Sequence, residues 1–365
     1  MSILHQIALT LIPGIGDVLG KKLVAVCGSP EAVFIEKKKA LLKTERVGDL
    51  IVNSILEHRD TALEMAAREL EFINRYKINA VFYTDADYPK RLKECVDGPL
   101  MIFFKGKADL NHARIVAVVG TRHASHYGKE MCEKLITGLK NLDVMVVSGL
   151  AYGIDTCAHK SALDQGLNTI AVLAHGLDRI YPPLNKSLAE RMLHQGGLIT
   201  DFPSGTNPDR ENFPARNRII AGLADATIVV EAGMKGGALI TAEIANSYNR
   251  DVFSVPGNIG NYYSEGCNFL IKTNKAALLQ SADDVKYIMG WGDVAKPQIV
   301  QKKLMIELSP DQEKIVEVLQ TNGEASIDRL CNETEISPAL VANALLNLEF
   351  EGIVKTLPGK IYKLL

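Results

Sequence analysis

The chain has 365 residues, of which 47% are apolar and 23% charged, with a formal net charge of −2. That is length enough for two or three domains with full cores, in a composition ordinary for a soluble globular protein. No run of about 18 apolar residues is present to span a membrane, and the near-neutral balance requires any nucleic-acid site to gather its basic residues locally.

The six cysteines are scattered and form no CxxC pair. This fits reduced thiols in a cytoplasmic protein and offers no metal signature. The first residues lack a basic region, and their apolar run breaks at Pro13 and Gly14, so no secretory signal is expected.

Residues 1–76 read as a small helical domain. Ile3 to Leu11 is apolar, Ile12-Pro13-Gly14-Ile15-Gly16 makes a tight turn, and Asp17 to Val26 continues as a helix. Two helices joined by Gly-x-Gly suggest a helix-hairpin-helix whose turn N–H groups can hold a DNA phosphate. Packing alone is the other reading, because Lys21 and Lys22 are the only nearby cations. Val47-Gly48-Asp49-Leu50-Ile51 is a degenerate second hairpin, and a helix over about 60–76 closes the segment. The first glycines are not a dinucleotide fingerprint, since their spacing is G-x-G-x-x-x-G and no strand precedes them.

Residues 77–288 alternate strand and helix signals. Asn79–Tyr83 and Pro99–Lys105 read as strands added to the edge of the sheet that follows. Strands are then expected at Arg114–Val119, Asp143–Val147, Thr169–Ala174, Leu198–Phe202, Ala226–Ala232 and Asp251–Pro256, with helices between them. Such alternation predicts a Rossmann-like, doubly wound α/β sheet. In such a sheet ligands bind beyond the C-terminal strand ends, where helix N-termini point free N–H groups outward. Gly120-Thr121-Arg122, Ser148-Gly149, His175-Gly176 and Gly233-Met234-Lys235-Gly236-Gly237 fall at those ends. Each glycine alone is a tight turn, but their repetition beside Arg122, Arg216 and Lys235 points to a shared anion site. Arg210, Arg216 and Arg218 are expected around Phe213, giving charge for a backbone and a ring for a base, as single-stranded nucleic acid requires.

Catalytic motifs are lacking: there is no Walker A, no GxSxG and no kinase set. His123 and His126 lack an acidic or cysteine partner, so no metal is expected, and no cofactor is either. Asp155 and His159 have the i,i+4 spacing of a simple helix pair. Glu231 and Glu243 leave a hydrolytic alternative open.

Residues 289–308 read as a linker. Ser309-Pro310, residues 326–332 and Ser337-Pro338 mark three helices, and strands at 353–355 and 360–363 flank a Pro358-Gly359 wing. This is a winged helix over 309–365. It holds five basic and nine acidic residues, which argues against major-groove insertion and for a protein-interaction or structural role.

Val119-Gly120-Thr121-Arg122, SGLAYGIDTCAH from Ser148 to His159, Tyr181-Pro182-Pro183-x-Asn185, FPARNRIIAGL from Phe213 to Leu223, KGGALITA from Lys235 to Ala242, VPGN from Val255 to Asn258 and Gly266-Cys267-Asn268 occur in order. Together they closely resemble the DNA processing protein A family (DprA, also called Smf). The resemblance implies an extended Rossmann-like domain that binds and protects single-stranded DNA. It also implies a homodimer that loads RecA recombinase during natural transformation, without enzymatic activity. Carried over by motif, Arg122 clamps a phosphate and Phe213 stacks on a base. Arg210, Arg216 and Lys235 line the same pocket, Asn217 bonds a phosphate or base edge, and Gly120, Ser148, Gly149, Gly236 and Gly237 shape it. Lys235 stands where the family often has serine. The alternative is a nucleotide hydrolase of the lysine-decarboxylase-like type, which Lys235 to Glu243 loosely echoes. A nucleotide sensor is a third, weaker reading. The arginine and aromatic cluster favours the strand-binding one.

Overall fold

The computed structural model describes residues 2–292, 308–357 and 361–364. They fall into two compact units, Met1–Gly292 and Asp293–Leu365.

The first unit is built on a nine-stranded sheet. Its strands are β1 (Asn79–Phe82), β2 (Met101–Gly106), β3 (Ile115–Val119), β4 (Met145–Ser148), β5 (Thr169–Val172), β6 (Gly196–Thr200), β7 (Ala226–Val229), β8 (Asp251–Ser254) and β9 (Ala277–Leu278), in the spatial order β1-β2-β6-β5-β4-β3-β7-β8-β9. The seven strands from β6 to β9 run parallel, and β1 and β2 add an antiparallel edge to β6, as their sequence position suggested. The chain starts at β3, winds outward to β6, then returns to place β7 on the other side of β3. The switch point of this doubly wound sheet therefore lies between the C-terminal ends of β3 and β7, where a crevice opens.

Strand residues divide between two cores with the period of the pleat. Ile115, Ala117 and Val119 join the cluster under the Asn212–Leu223 and Gly237–Ser247 helices, while Val116 and Val118 join the cluster under the His126–Leu139 and Ile154–Asp164 helices. Both faces are covered, which is why these strands read as unbroken apolar runs. β6 begins two residues earlier than its apolar run suggests. Gly196 and Gly197 are strand residues, not a turn, because a Cβ at Gly196 would lie 1.8 Å from the Thr169 carbonyl oxygen and one at Gly197 would lie 2.4 Å from the Phe104 ring.

The N-terminal helices share a third core with Phe82, Met101 and Phe103 of the antiparallel edge. Both expected hairpins have the same backbone. Gly14 and Arg46 take positive φ (82° and 66°), and Gly16 and Gly48 are extended N-caps (φ −88° and −100°) followed by Asp17 and Asp49. The last helix is longer than predicted. It begins at Asp49 and runs to Tyr76, since no glycine or proline interrupts those 28 residues.

The second unit has helices Pro310–Asn322, Ile327–Thr334 and Pro338–Phe350. Its three-stranded sheet is β10 (Glu324–Ser326), β11 (Val354–Leu357) and β12 (Ile361–Leu364), in the order β10-β12-β11. Ser309 forms the capping box its sequence implies, accepting from the Gln312 N–H while Gln312 accepts from the Ser309 N–H. β10 was hidden in sequence by its length of three residues. The expected Pro358-Gly359 wing tip and most of the 289–308 linker lie outside the described residues.

Candidate nucleic-acid interface

A groove of about 770 Å³ occupies the switch point. The β3 end supplies Gly120, Thr121, Arg122 and His123, and the β7 end supplies Gly233, Lys235, Gly236 and Gly237. The Asn212–Leu223 helix supplies Phe213, Arg216 and Asn217, and Arg210 stands just before that helix. Nine of the eleven residues singled out in the sequence thus meet here. Ser148 and Gly149 do not.

Phe213 stands between polar neighbours. The Arg122 guanidinium is 5.1 Å from its ring centre, and the Tyr181 ring 6.1 Å away at a 52° tilt. Tyr181 extends the aromatic surface and belongs to the Pro-rich turn after β5. On the opposite wall His123 stacks on Tyr263 at 6.4 Å, and Tyr262 meets Tyr263 edge-on at 5.0 Å. These three aromatics were not foreseen. Tyr181 lies in the turn after β5 and Tyr262 and Tyr263 open the Tyr262–Lys272 helix, so only the sheet topology brings them together.

The groove floor carries a buried cation. Arg216 is only 5% exposed. It donates to the Val172 carbonyl, and its Nε donates to Asn217 Oδ1 at 3.3 Å. Burial pulls its pKa down to about 10, opposed by the Asp155 carboxylate beside it, and burial raises the pKa of Asp155 in turn. Gly149 makes room for this pair: a Cβ there would fall 2.4 Å from Asp155 Oδ2 and 2.9 Å from both Arg216 Nη atoms. Its contribution is therefore space, not a ligand contact. Ser148 is fully buried and its hydroxyl donates to the Val118 carbonyl at 2.6 Å, which ties β4 to β3.

The Gly233–Gly237 turn leads into an eleven-residue helix with Gly236 as N-cap. Lys235 is exposed there, beside N–H groups that the helix itself leaves without acceptors. Asn217 Nδ2 donates to the Gly237 carbonyl at 3.4 Å, so the side chain expected to meet DNA also braces the turn. Gly120 permits close packing, since a Cβ would meet Ile154 Cγ1 at 2.5 Å.

Arg218 corrects the expectation that three arginines surround Phe213. Two residues after Arg216, about 200° around the helix, it points away from the groove. Its Nη2 pairs with Asp17 at 2.9 Å and Asp201 at 2.5 Å, and its Nη1 donates to the Asp97 carbonyl. Asp155 and His159 do not pair either. His159 Nε2 lies 2.6 Å from the Gly149 carbonyl and Nδ1 lies 2.7 Å from the Thr169 hydroxyl. A carbonyl only accepts, so the neutral ring carries its proton on Nε2, and the single Thr169 hydroxyl proton is shared between Nδ1 and the Val146 carbonyl 3.0 Å away.

The two glutamates of the hydrolytic alternative are otherwise engaged. Glu231 is 2% exposed and accepts from the Ser125 N–H and hydroxyl at 2.8 and 2.5 Å, holding the start of the His126–Leu139 helix. Glu243 pairs on the surface with Lys275 at 2.5 Å. Neither lines the groove. Among the described residues no cluster of three or more His, Cys, Asp or Glu is placed to hold a metal, and no helix is long and apolar enough to cross a membrane.

Comparison with known proteins agrees with this geometry. Residues 79–289 match the family model of DNA recombination-mediator protein A, and residues 303–360 match that of the DprA winged helix domain. Protein Smf of Synechocystis is 33% identical over 395 aligned positions, covering 98% of both chains. The crystal structure of DNA processing protein A from Streptococcus pneumoniae superposes with a TM-score of 0.65 at 34% identity, over 79% of this chain and 98% of that one. DNA processing protein A from Helicobacter pylori, described for its single-stranded DNA binding mode, superposes with a TM-score of 0.53 at 26% identity, over 58% of this chain and 95% of that one. With the family model spanning more than half of its length and Smf matched nearly end to end, the chain belongs to the DNA recombination-mediator protein A family.

Proposed function

We propose that the groove at the β3/β7 switch point binds single-stranded DNA, and that the protein protects the bound strand and delivers it to RecA recombinase in the cytoplasm during natural transformation. It acts as a homodimer and without chemistry of its own. The observation that carries this reading is the Arg122–Phe213 pair set over the buried Arg216. A ring with an exposed face takes a base, and cations on the rim and floor take the backbone.

In this reading Arg122, Arg210 and Lys235 contact phosphates. The Gly237 N–H at the start of the helix receives a further phosphate oxygen, while the Gly236 N–H holds the turn by donating to the Gly233 carbonyl. Phe213 and Tyr181 stack on bases, and Asn217 reads a phosphate or base edge. Arg216 acts from the floor through its field. The acidic winged helix serves a protein contact rather than duplex DNA, because its third helix has no cation to set against phosphates.

The test is fluorescence anisotropy with a labelled single-stranded oligonucleotide at several salt concentrations, with duplex as competitor. Tight, salt-sensitive binding that duplex does not displace is the expected result. Equal affinity for duplex, or no binding, would sink the proposal. RecA filament formation on coated single strands, with and without the protein, tests the delivery step.

A further inference from the structure

Arg122 also walls a second groove, of about 830 Å³, on the other side of the β3 loop. This groove runs between the His126–Leu139 and Ile154–Asp164 helices. Lys129, Glu133 and Thr137 line one bank at four-residue spacing, and Gly153, Thr156, Lys160 and Asp164 line the other. From Gly153 to Gln165 the helical rise gives a length of about 18 Å.

Three features give this groove the character of a strand path. Its mouth is shared with the central groove through Arg122 and His123, and both helix N-termini open there. Tyr152 stands at that mouth with 43% of its surface exposed, next to Arg122. Lys129 and Lys160 are both exposed along the banks, while Asp164 already has its counter-charge in Arg191 at 2.7 Å. The remaining lining includes the exposed hydroxyl of Thr137, which suits a backbone oxygen. Glu133 is the lining carboxylate that the strand must pass.

We infer that a single strand leaving the central groove crosses Arg122 and continues along this inter-helix groove, with Tyr152 under a base and Lys129 and Lys160 on phosphates. The inference rests on the proposed strand-binding function and extends it to a second site with its own residues. The protein then has a short core site and a longer full site on the same molecule.

Oligonucleotide length separates the two. Binding of the full chain is measured with labelled strands of about 6 and about 16 nucleotides, within the range of single-strand site sizes, for the wild type and for Lys129→Glu/Lys160→Glu. The charge reversal is expected to weaken the longer strand about tenfold or more and lower its salt slope by about 1.4, two single-strand phosphate contacts, while the shorter strand binds as before. Lys129→Gln/Lys160→Gln should show the same selectivity with a smaller loss, at an unchanged melting temperature. Equal losses on both lengths, or none on either, would overturn the second groove. Failure of the wild type to bind either strand would instead overturn the strand-binding function beneath it.

Discussion

The Arg122 guanidinium sits 5.1 Å from the centre of the Phe213 ring, joining the loop after β3 to the start of the Asn212–Leu223 helix across the groove. The contact pre-orders a cation and an aromatic face before any strand arrives. Arg122→Ala should lower single-strand affinity and reduce the salt slope by about 0.7. Phe213→Ala should cost about 1–3 kcal/mol of binding with the slope unchanged. The double mutant should fall short of the sum by about 0.5–2 kcal/mol. Strict additivity in the anisotropy titrations would show that the pair does not act together.

Arg216 and Asp155 support each other in the interior. Arg216→Met leaves the Asp155 carboxylate buried without its cation and should cost about 3–5 kcal/mol in urea unfolding. Adding Asp155→Asn should restore much of that stability while single-strand affinity stays low, because the floor charge is still missing. Recovery of both together would mean that Arg216 serves the fold alone.

Arg218 gives the opposite pattern. Arg218→Met strands Asp17 and Asp201, the latter already raised to about 6 by burial. It should destabilise by about 3–5 kcal/mol, and Asp201→Asn in the same background should recover part of this. The salt slope of strand binding should not change, since Arg218 does not line the groove. A slope reduced by a full phosphate contact would put Arg218 back among the ligands.

His159 predicts a pH dependence. Burial lowers its pKa to about 4, against 6.5 for an ordinary solvated histidine. The unfolded chain then binds the extra proton first, so the stabilising contribution is complete above about pH 6.5 and is lost as pH falls toward 4. His159→Gln keeps a donor and an acceptor without titrating. Its stability relative to wild type should improve by about 2 kcal/mol between pH 7 and pH 5. Parallel pH profiles for the two proteins would contradict this.

The fold was legible because its strands are buried on both faces and its helices are bounded by glycine and proline. The groove was legible where one segment supplies many of its parts: Arg210, Phe213, Arg216 and Asn217 lie within eight positions. Helical phase separates Arg218 from them, which its place one residue after Asn217 in the string conceals. Gly149 read as a turn glycine of the pocket, and the space it leaves for Asp155 and Arg216 was not legible because Arg216 arrives from 67 positions away. Tyr181 entered only as part of a family motif, and Tyr262 and Tyr263 carried no local signal, because a tyrosine at a helix start reads the same whether or not topology brings it to a site.

The ion pair between Arg218 and Asp17 ties the N-terminal hairpin to the Asn212–Leu223 helix, the helix that carries Phe213 and Arg216. Asp17 also accepts from the Leu100 N–H at 2.7 Å, so one carboxylate joins the helical segment, the antiparallel edge and the Asn212–Leu223 helix. The segment is in this sense a counter-ion. A family member built without it keeps Asp201 as the arginine's counter-ion and loses only the tie to the segment. Arg218 and Asp201 should therefore persist together in lineages that shed the hairpin, and Asp17 alone should come and go with it.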